Sequence, residues 1–254
     1  MIRSSSSALF ALMTLSAVVL ACTDIPTGND QVLSFSVNPL PSPSVVVGDS
    51  LRDSLGVVRP ITVTAFDFQG DTASPPKTRF LAMGRGIKVD SLTGVVTGDS
   101  VQTGAKILVT VGSIQAPVTL GVALRPDTMI ATDARDSLSY SLVDTTLNIS
   151  PALGVKILHG KTADSAVVGW RVSFRMISPP GTVAQLINDG NVPGTTADTT
   201  DASGVASRRI KINVLQLTNG TAADSVVVMA SASYRGVAVR GSPVRLVLKY
   251  KPKI

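Results

Sequence analysis

The chain has one cysteine, one histidine, one tryptophan and no glutamate in its 254 residues. Each scarcity closes a route. A lone cysteine, Cys22, can neither form a disulfide within the chain nor build a cysteinyl metal site. A lone histidine, His159, is the single candidate base for Ser-His-Asp chemistry, and no Gly-x-Ser-x-Gly elbow accompanies it. Its place beside Gly160, at the end of a predicted strand, reads as a surface position. All seventeen acidic residues are Asp, each in a turn-like context, which argues against paired-carboxylate hydrolysis. There is no P-loop or dinucleotide fingerprint. The sequence therefore predicts a non-enzyme with no cofactor.

The missing glutamate also bears on the fold. Glu favours helices, whereas Asp, Ser, Thr and Gly belong to caps and turns. Abundant Val and Thr add a preference for strands, and no stretch after residue 22 keeps a 3.6-residue apolar period. The expected class is all-β. With no disulfide, each folded unit must hold together by its core alone, which about 100 residues can supply.

Residues 1–21 have the layout of a cleaved export signal: Arg3, an apolar run from Ala8 to Leu20, and small residues before Cys22. The run of 13 residues is short of the roughly 20 needed to span a bilayer. Val19-Leu20-Ala21-Cys22 resembles a bacterial lipobox. That resemblance implies a lipid-modified Cys22 as first mature residue, hence a membrane partner. Thr23 after it lacks the Asp that retains some lipoproteins at the inner membrane, so the implied address is the outer membrane, on its periplasmic face or at the cell surface. Residues 22–31 are polar and broken by Pro and Gly, a tether whose last nine residues extend to about 30 Å.

The remainder divides at Arg125-Pro126-Asp127, where proline ends a strand. Residues 32–125 and 126–254 each show short strand patterns separated by turn signals, the pattern of a β-sandwich. In the first, strands are expected at 33–37, 44–47, 61–66, 78–82, 94–97, 105–111 and 115–124. In the second they are expected at 137–142, 146–149, 155–159, 168–176, 183–187, 205–214, 225–234 and 244–250. Trp170, Val172, Phe174 and Met176 alternate with Arg171, Ser173 and Arg175, which makes Trp170 a predicted core residue.

Two resemblances follow from these segments. Val45-Val46-Val47-Gly48-Asp49, Val89-Asp90-Ser91-Leu92-Thr93-Gly94-Val95-Val96-Thr97-Gly98 and Gly104-Ala105-Lys106-Ile107 resemble the bacterial Ig-like group 2 pattern, with Phe80 where that family usually has a Trp. Val168-Gly169-Trp170-Arg171-Val172-Ser173-Phe174 and Thr200-Asp201-Ala202-Ser203-Gly204-Val205-Ala206 are similar to the group 1 family found in invasin and intimin. The resemblance implies two tandem Ig-like β-sandwich domains after a lipoprotein signal peptide. It also implies a non-catalytic envelope protein for binding or adhesion. The alternatives are a spacer or subunit of a larger envelope assembly, and, further off, an envelope hydrolase using Asp or His159.

Charge is unevenly spread. The net charge of +6 arises after residue 224, where six Lys and Arg stand without an Asp. Arg245, Lys249 and Lys251 share one face of the last predicted strand and form the candidate contact for an anionic partner. The plainer reading, and the one favoured here, is that the same residues guard an exposed edge strand against pairing. Nucleic acid is not expected, because aromatics do not interleave with the basic residues. A protein or polysaccharide ligand fits the class. Asp198 and Asp201, with nearby carbonyls, come closest to a Ca²⁺ ligand set, but their spacing matches no EF-hand and no metal is expected. The sequons at Asn148 and Asn219 are expected to be silent.

Overall fold

The computed structural model describes residues 32–75, 77–160, 162, 164–178, 183–217 and 224–253. The expected signal, Cys22, the tether and Asn219 lie outside these residues.

Nine strands form the first half: β1 (Ser34–Val37), β2 (Ser44–Val46), β3 (Val63–Phe66), β4 (Thr72–Ala73), β5 (Thr78–Ala82), β6 (Ile87–Val89), β7 (Val96–Gly98), β8 (Gln102–Val111) and β9 (Ile114–Ala123). One sheet has the order β2-β9-β8-β5 and is opposed by the sheet β1-β3-β4 and the hairpin β6-β7. Strand β8 shows why they face each other. Ala105, Ile107, Val109 and Val111 are at most 1% exposed, while Lys106 points outward, the two-residue alternation of a half-buried strand. Phe80, 5% exposed, takes the central aromatic position. A Cβ on Gly94 would lie 2.9 Å from its ring and 2.8 Å from the Ile61 carbonyl, so glycine is required there for close approach as well as for its φ of +72°.

The second half contains β10 (Thr128–Ala131), β11 (Arg135–Tyr140), β12 (Leu153–His159), β13 (Ser165–Ala166), β14 (Arg171–Ser178), β15 (Ala184–Ile187), β16 (Ala197–Thr199), β17 (Val205–Ile212), β18 (Ser225–Ser231), β19 (Ser233–Tyr234), β20 (Val237–Ala238) and β21 (Val244–Pro252). Sheet β10-β12-β17-β15 packs on sheet β11-β21-β18-β14-β16. Between them lie Val155, Ile157, Ile210, Val172, Phe174, Val228, Leu246 and Leu248, each at most 1% exposed. The protein is all-β, built of sandwiches with two separate apolar clusters. Among the described residues no helix is long and apolar enough to cross a membrane.

Two expectations fail here. Residues 146–149 are not a strand; Thr145–Asn148 is a 3₁₀ turn. The Asp144 side chain accepts the Thr146 amide and hydroxyl, offering the backbone a local alternative to a ladder. Strand β21 is also not an edge. It sits between β18 and β11, with β11 alongside it in parallel from Arg135↔Val247 to Tyr140↔Pro252. Its cations therefore do not guard an open edge.

One turn recurs. Asp53, Asp67 and Asp201 each accept, at Oδ1, the amides two and four residues on, with a positive-φ glycine three residues on. Asn188 closes a related turn through the Val192 amide. Asp does this because its carboxylate is one methylene from the backbone; a Glu oxygen would overshoot the same donors.

Candidate functional site

The two sandwiches meet through a buried carboxylate. Gly48-Asp49 ends the stretch after β2, and Asp49 is 6% exposed. Its Oδ1 accepts from the Ser50 amide at 2.8 Å and from Arg52 Nη2 at 3.0 Å. Its Oδ2 accepts from Arg52 Nε at 3.0 Å, and from two groups of the other sandwich, the Tyr234 hydroxyl at 2.7 Å and Arg235 Nε at 2.9 Å. Burial pushes the Asp49 pKa up, but the hydrogen bonds from Arg235, Arg52 and Tyr234 outweigh it and hold the carboxyl well below the usual carboxylate range. Burial and the bond to Asp49 raise the Tyr234 phenol, which stays a donor.

Local backbone brings these groups together. Arg235 (φ +53°) and Gly236 (φ +76°) form the two-residue turn of the β19-β20 hairpin, the geometry that matches strand twist. This turn lies on the Asp53 turn of the first sandwich. A Cβ on Gly56 would come 2.3 Å from the Arg235 carbonyl carbon, and one on Gly236 2.6 Å from the Leu55 carbonyl oxygen. Backbone thus touches backbone across the junction. Arg52 Nη1 donates to the Gly56 carbonyl at 2.8 Å, and the Ser44 hydroxyl donates to the Gly169 carbonyl at 2.9 Å. Val46 and Ala123 of the first sandwich pack in the second cluster.

Beside this contact lies a cleft of about 530 Å³. Its walls carry the aromatic pair Trp170 and Tyr234, the basic residues Arg52, Arg171 and Arg235, the acidic Asp53, and a series of serines including Ser42, Ser173 and Ser231. Trp170 is 9% exposed and meets the Tyr234 ring edge-on at 6.0 Å. It lies at the end of the second core, just before β14 rather than within it. Arg52 and Arg235 are already paired with Asp49, so serine hydroxyls, Arg171 and an aromatic wall are what the cleft offers a polar or anionic ligand, and domain junctions are where such clefts commonly form.

The residues singled out in the sequence fall elsewhere. His159 Nδ1 is 2.9 Å from both the Arg125 carbonyl and Asp127 Oδ2, while Asp127 accepts the Gly160 amide at 2.8 Å. It clasps the inter-sandwich linker to the end of β12 and is only half-buried. Asp198 accepts the Ser207 amide and pairs with Arg208 at 3.1 Å, and Asp201 is taken up by its own turn. Among the described residues no group of three or more potential His, Cys or Asp ligands comes together. Asn148 is 1% exposed, with its amide on the backbone of Ser141. Arg245, Lys249 and Lys251 project from the outer face of β21, as their alternation with buried Leu246, Leu248 and Tyr250 requires. Sequence reasoning did not find the cleft. Its one local signal was Gly48-Asp49, read only as part of the Ig-like group 2 pattern.

No family model matches the chain, and no curated protein matches it. Among solved structures it is similar to the adhesin InvE of Yersinia pseudotuberculosis, with 15% identity and a TM-score of 0.33 over 88% of this chain and 61% of that one. It is also similar to domains 5–6 of the S-layer protein SbsC, with 13% identity and a TM-score of 0.31 over 88% of this chain and 99% of that one. The D0-D1 domain of intimin gives 13% identity and a TM-score of 0.26 over 85% of this chain and 95% of that one.

Proposed function

We propose that the protein is a non-catalytic binding module of the bacterial cell envelope. In this reading it is tied to the outer membrane by lipid on Cys22 and presents two Ig-like sandwiches as one stiff body. The observation that carries the reading is the Asp49 contact with the adjoining cleft. A carboxylate shared by Arg52, Tyr234 and Arg235 fixes the angle between the sandwiches, and fixed walls favour a ligand because little order remains to be imposed on binding. The aspartates support the non-catalytic part: Asp53, Asp67, Asp90, Asp144 and Asp201 each accept backbone amides of their own loops. The lipobox and the two Ig-like sequence patterns support the envelope address and the adhesive class.

Palmitate labelling in cells tests the anchor. Label is expected on the native protein and lost in Cys22→Ala; unchanged label in that variant overturns it. For the binding module, photo-cross-linkers placed at Ser173 and Ser231 in intact cells should capture an envelope component at the cleft. Cross-linkers that react only with solvent there, while others on the first sandwich hold one stoichiometric protein neighbour, would favour the assembly-subunit alternative.

A further inference from the structure

The outer face of sheet β11-β21-β18-β14-β16 carries Arg135, Arg171, Arg175, Arg245, Lys249 and Lys251, all exposed. The outward positions of these five strands include no acidic residue; their other members are Ser, Thr, Val, Met, Ala and Ile. None of the six cations makes an ion pair or a side-chain hydrogen bond among the described residues, although eight other basic groups do pair.

Register gives their arrangement. Arg175 is level with Arg245 through Met229 of β18, and Arg135 is opposite Val247. Strands β14 and β21 run the same way, both antiparallel to β18. From Arg171 to Arg175 is four steps along β14, and from Arg245 to Lys251 six along β21, which makes a file about 33 Å long at about 3.3 Å a step. The file begins inside the cleft, because Arg171, Ser173 and Ser231 line its wall.

We infer that this file is the binding track for a linear acidic polysaccharide, which enters at the cleft and lies along the sheet. The inference rests on the binding-module reading above and supplies its ligand class. A line of like charges continuing from a cleft fits one extended polyanion better than a compact anion, which would engage only two or three of them. Serine hydroxyls at positions 137, 139, 173, 225 and 231 interleave with the cations and suit a hydroxylated chain. The outward positions hold no aromatic side chain for bases to stack on, which weighs against single-stranded nucleic acid. They hold no aromatic anchor for a bilayer interface either.

The purified protein is titrated with polygalacturonate, neutral dextran of similar length, double-stranded DNA and anionic phospholipid vesicles. Polygalacturonate is expected to bind with an affinity that falls steeply with salt, and dextran is expected not to bind. The combined variant Arg175→Ala/Arg245→Ala/Lys249→Ala should lose about tenfold or more, because three screened contacts go together. All three side chains are exposed, and the single variant Lys249→Asp, expected to bind more weakly than Lys249→Ala, keeps the test sharp if the combined variant folds poorly. Lys88→Ala, on the first sandwich, should bind as the native protein does. Equal binding of dextran, an unaffected track variant, or tighter binding per charge to DNA or vesicles than to polygalacturonate would each overturn the inference. None of these results depends on the lipid anchor, so loss of palmitate labelling and loss of glycan binding are separable failures.

Discussion

Replacing Asp49 with Asn removes one charge from the junction while leaving the side-chain shape almost unchanged. In the native protein the carboxylate receives Arg52, Tyr234, Arg235 and the Ser50 amide. The amide side chain of Asn keeps one oxygen for Ser50 or Tyr234, and its NH₂ group meets guanidinium donors instead of accepting from them. A hydrogen bond to a charged group contributes about 1.5–3 kcal/mol when buried. Arg52 and Arg235 keep 26% and 53% of their side-chain surface in water, so screening reduces each contact toward the lower end. The expected loss is about 2 kcal/mol, nearly all of it at the junction, because each sandwich has its own core. Differential scanning calorimetry at pH 7 should then resolve two transitions where the native protein gives one. Hydrogen exchange at the Gly56 amide, which donates to the Asp53 carbonyl where the two sandwiches touch, should speed up about 30-fold, the equivalent of about 2 kcal/mol. A single transition within about 0.5 kcal/mol of the native one, with unchanged exchange, would refute the argument.

Acid gives a second check. Because the Asp49 pKa is lowered in the folded state, its contribution is complete above the unfolded value of about 3.9 and is lost as pH falls through the folded one. The stability difference between native protein and Asp49→Asn should therefore be flat from about pH 5 to pH 8 and shrink below about pH 4; a difference unchanged from pH 5 to pH 2 contradicts this. Gly56→Ala should cost more than Gly48→Ala in urea unfolding. Both have φ near +80° and incur about 1 kcal/mol of backbone strain, but only at Gly56 would the Cβ strike Arg235; equal costs would exclude the backbone contact. Phe174→Ala removes a side chain 1% exposed and should cost about 3–5 kcal/mol, with exchange protection lost in β17 and β18 but retained in β8 and β9. Asp201→Ala frees the Ser203 and Val205 amides and should lower the melting temperature by an amount worth about 1–2 kcal/mol; Ca²⁺ should not restore it.

What was legible in the sequence was local. Alternation from Arg171 to Met176 gave the inward face of β14, and the Asp201 to Gly204 spacing gave its turn, because both depend on neighbours within five residues. The junction was not legible. Asp49 and Tyr234 are 185 residues apart, and nothing in either segment marks the other. An arginine at φ +53° is also not a residue that a turn search selects. The basic stripe was read correctly as one face of a strand, but its place in the sheet was not. The neighbour that makes β21 an interior strand, β11, lies more than 100 residues earlier and pairs in parallel, so no hairpin turn announces it. That change of place joins Arg135 to Arg245, Lys249 and Lys251, while Arg171 and Arg175 reach the same surface through β18.

The claim that the two sandwiches form one stiff body is tested most directly by a distance distribution between them. Spin labels at Ser36 on β1 and Ser139 on β11, both exposed, in a Cys22→Ser background, report the angle through pulsed dipolar spectroscopy. A single narrow distance is expected for the native junction, and a broad distribution when Asp49→Asn is added. A broad distribution with Asp49 intact would contradict it.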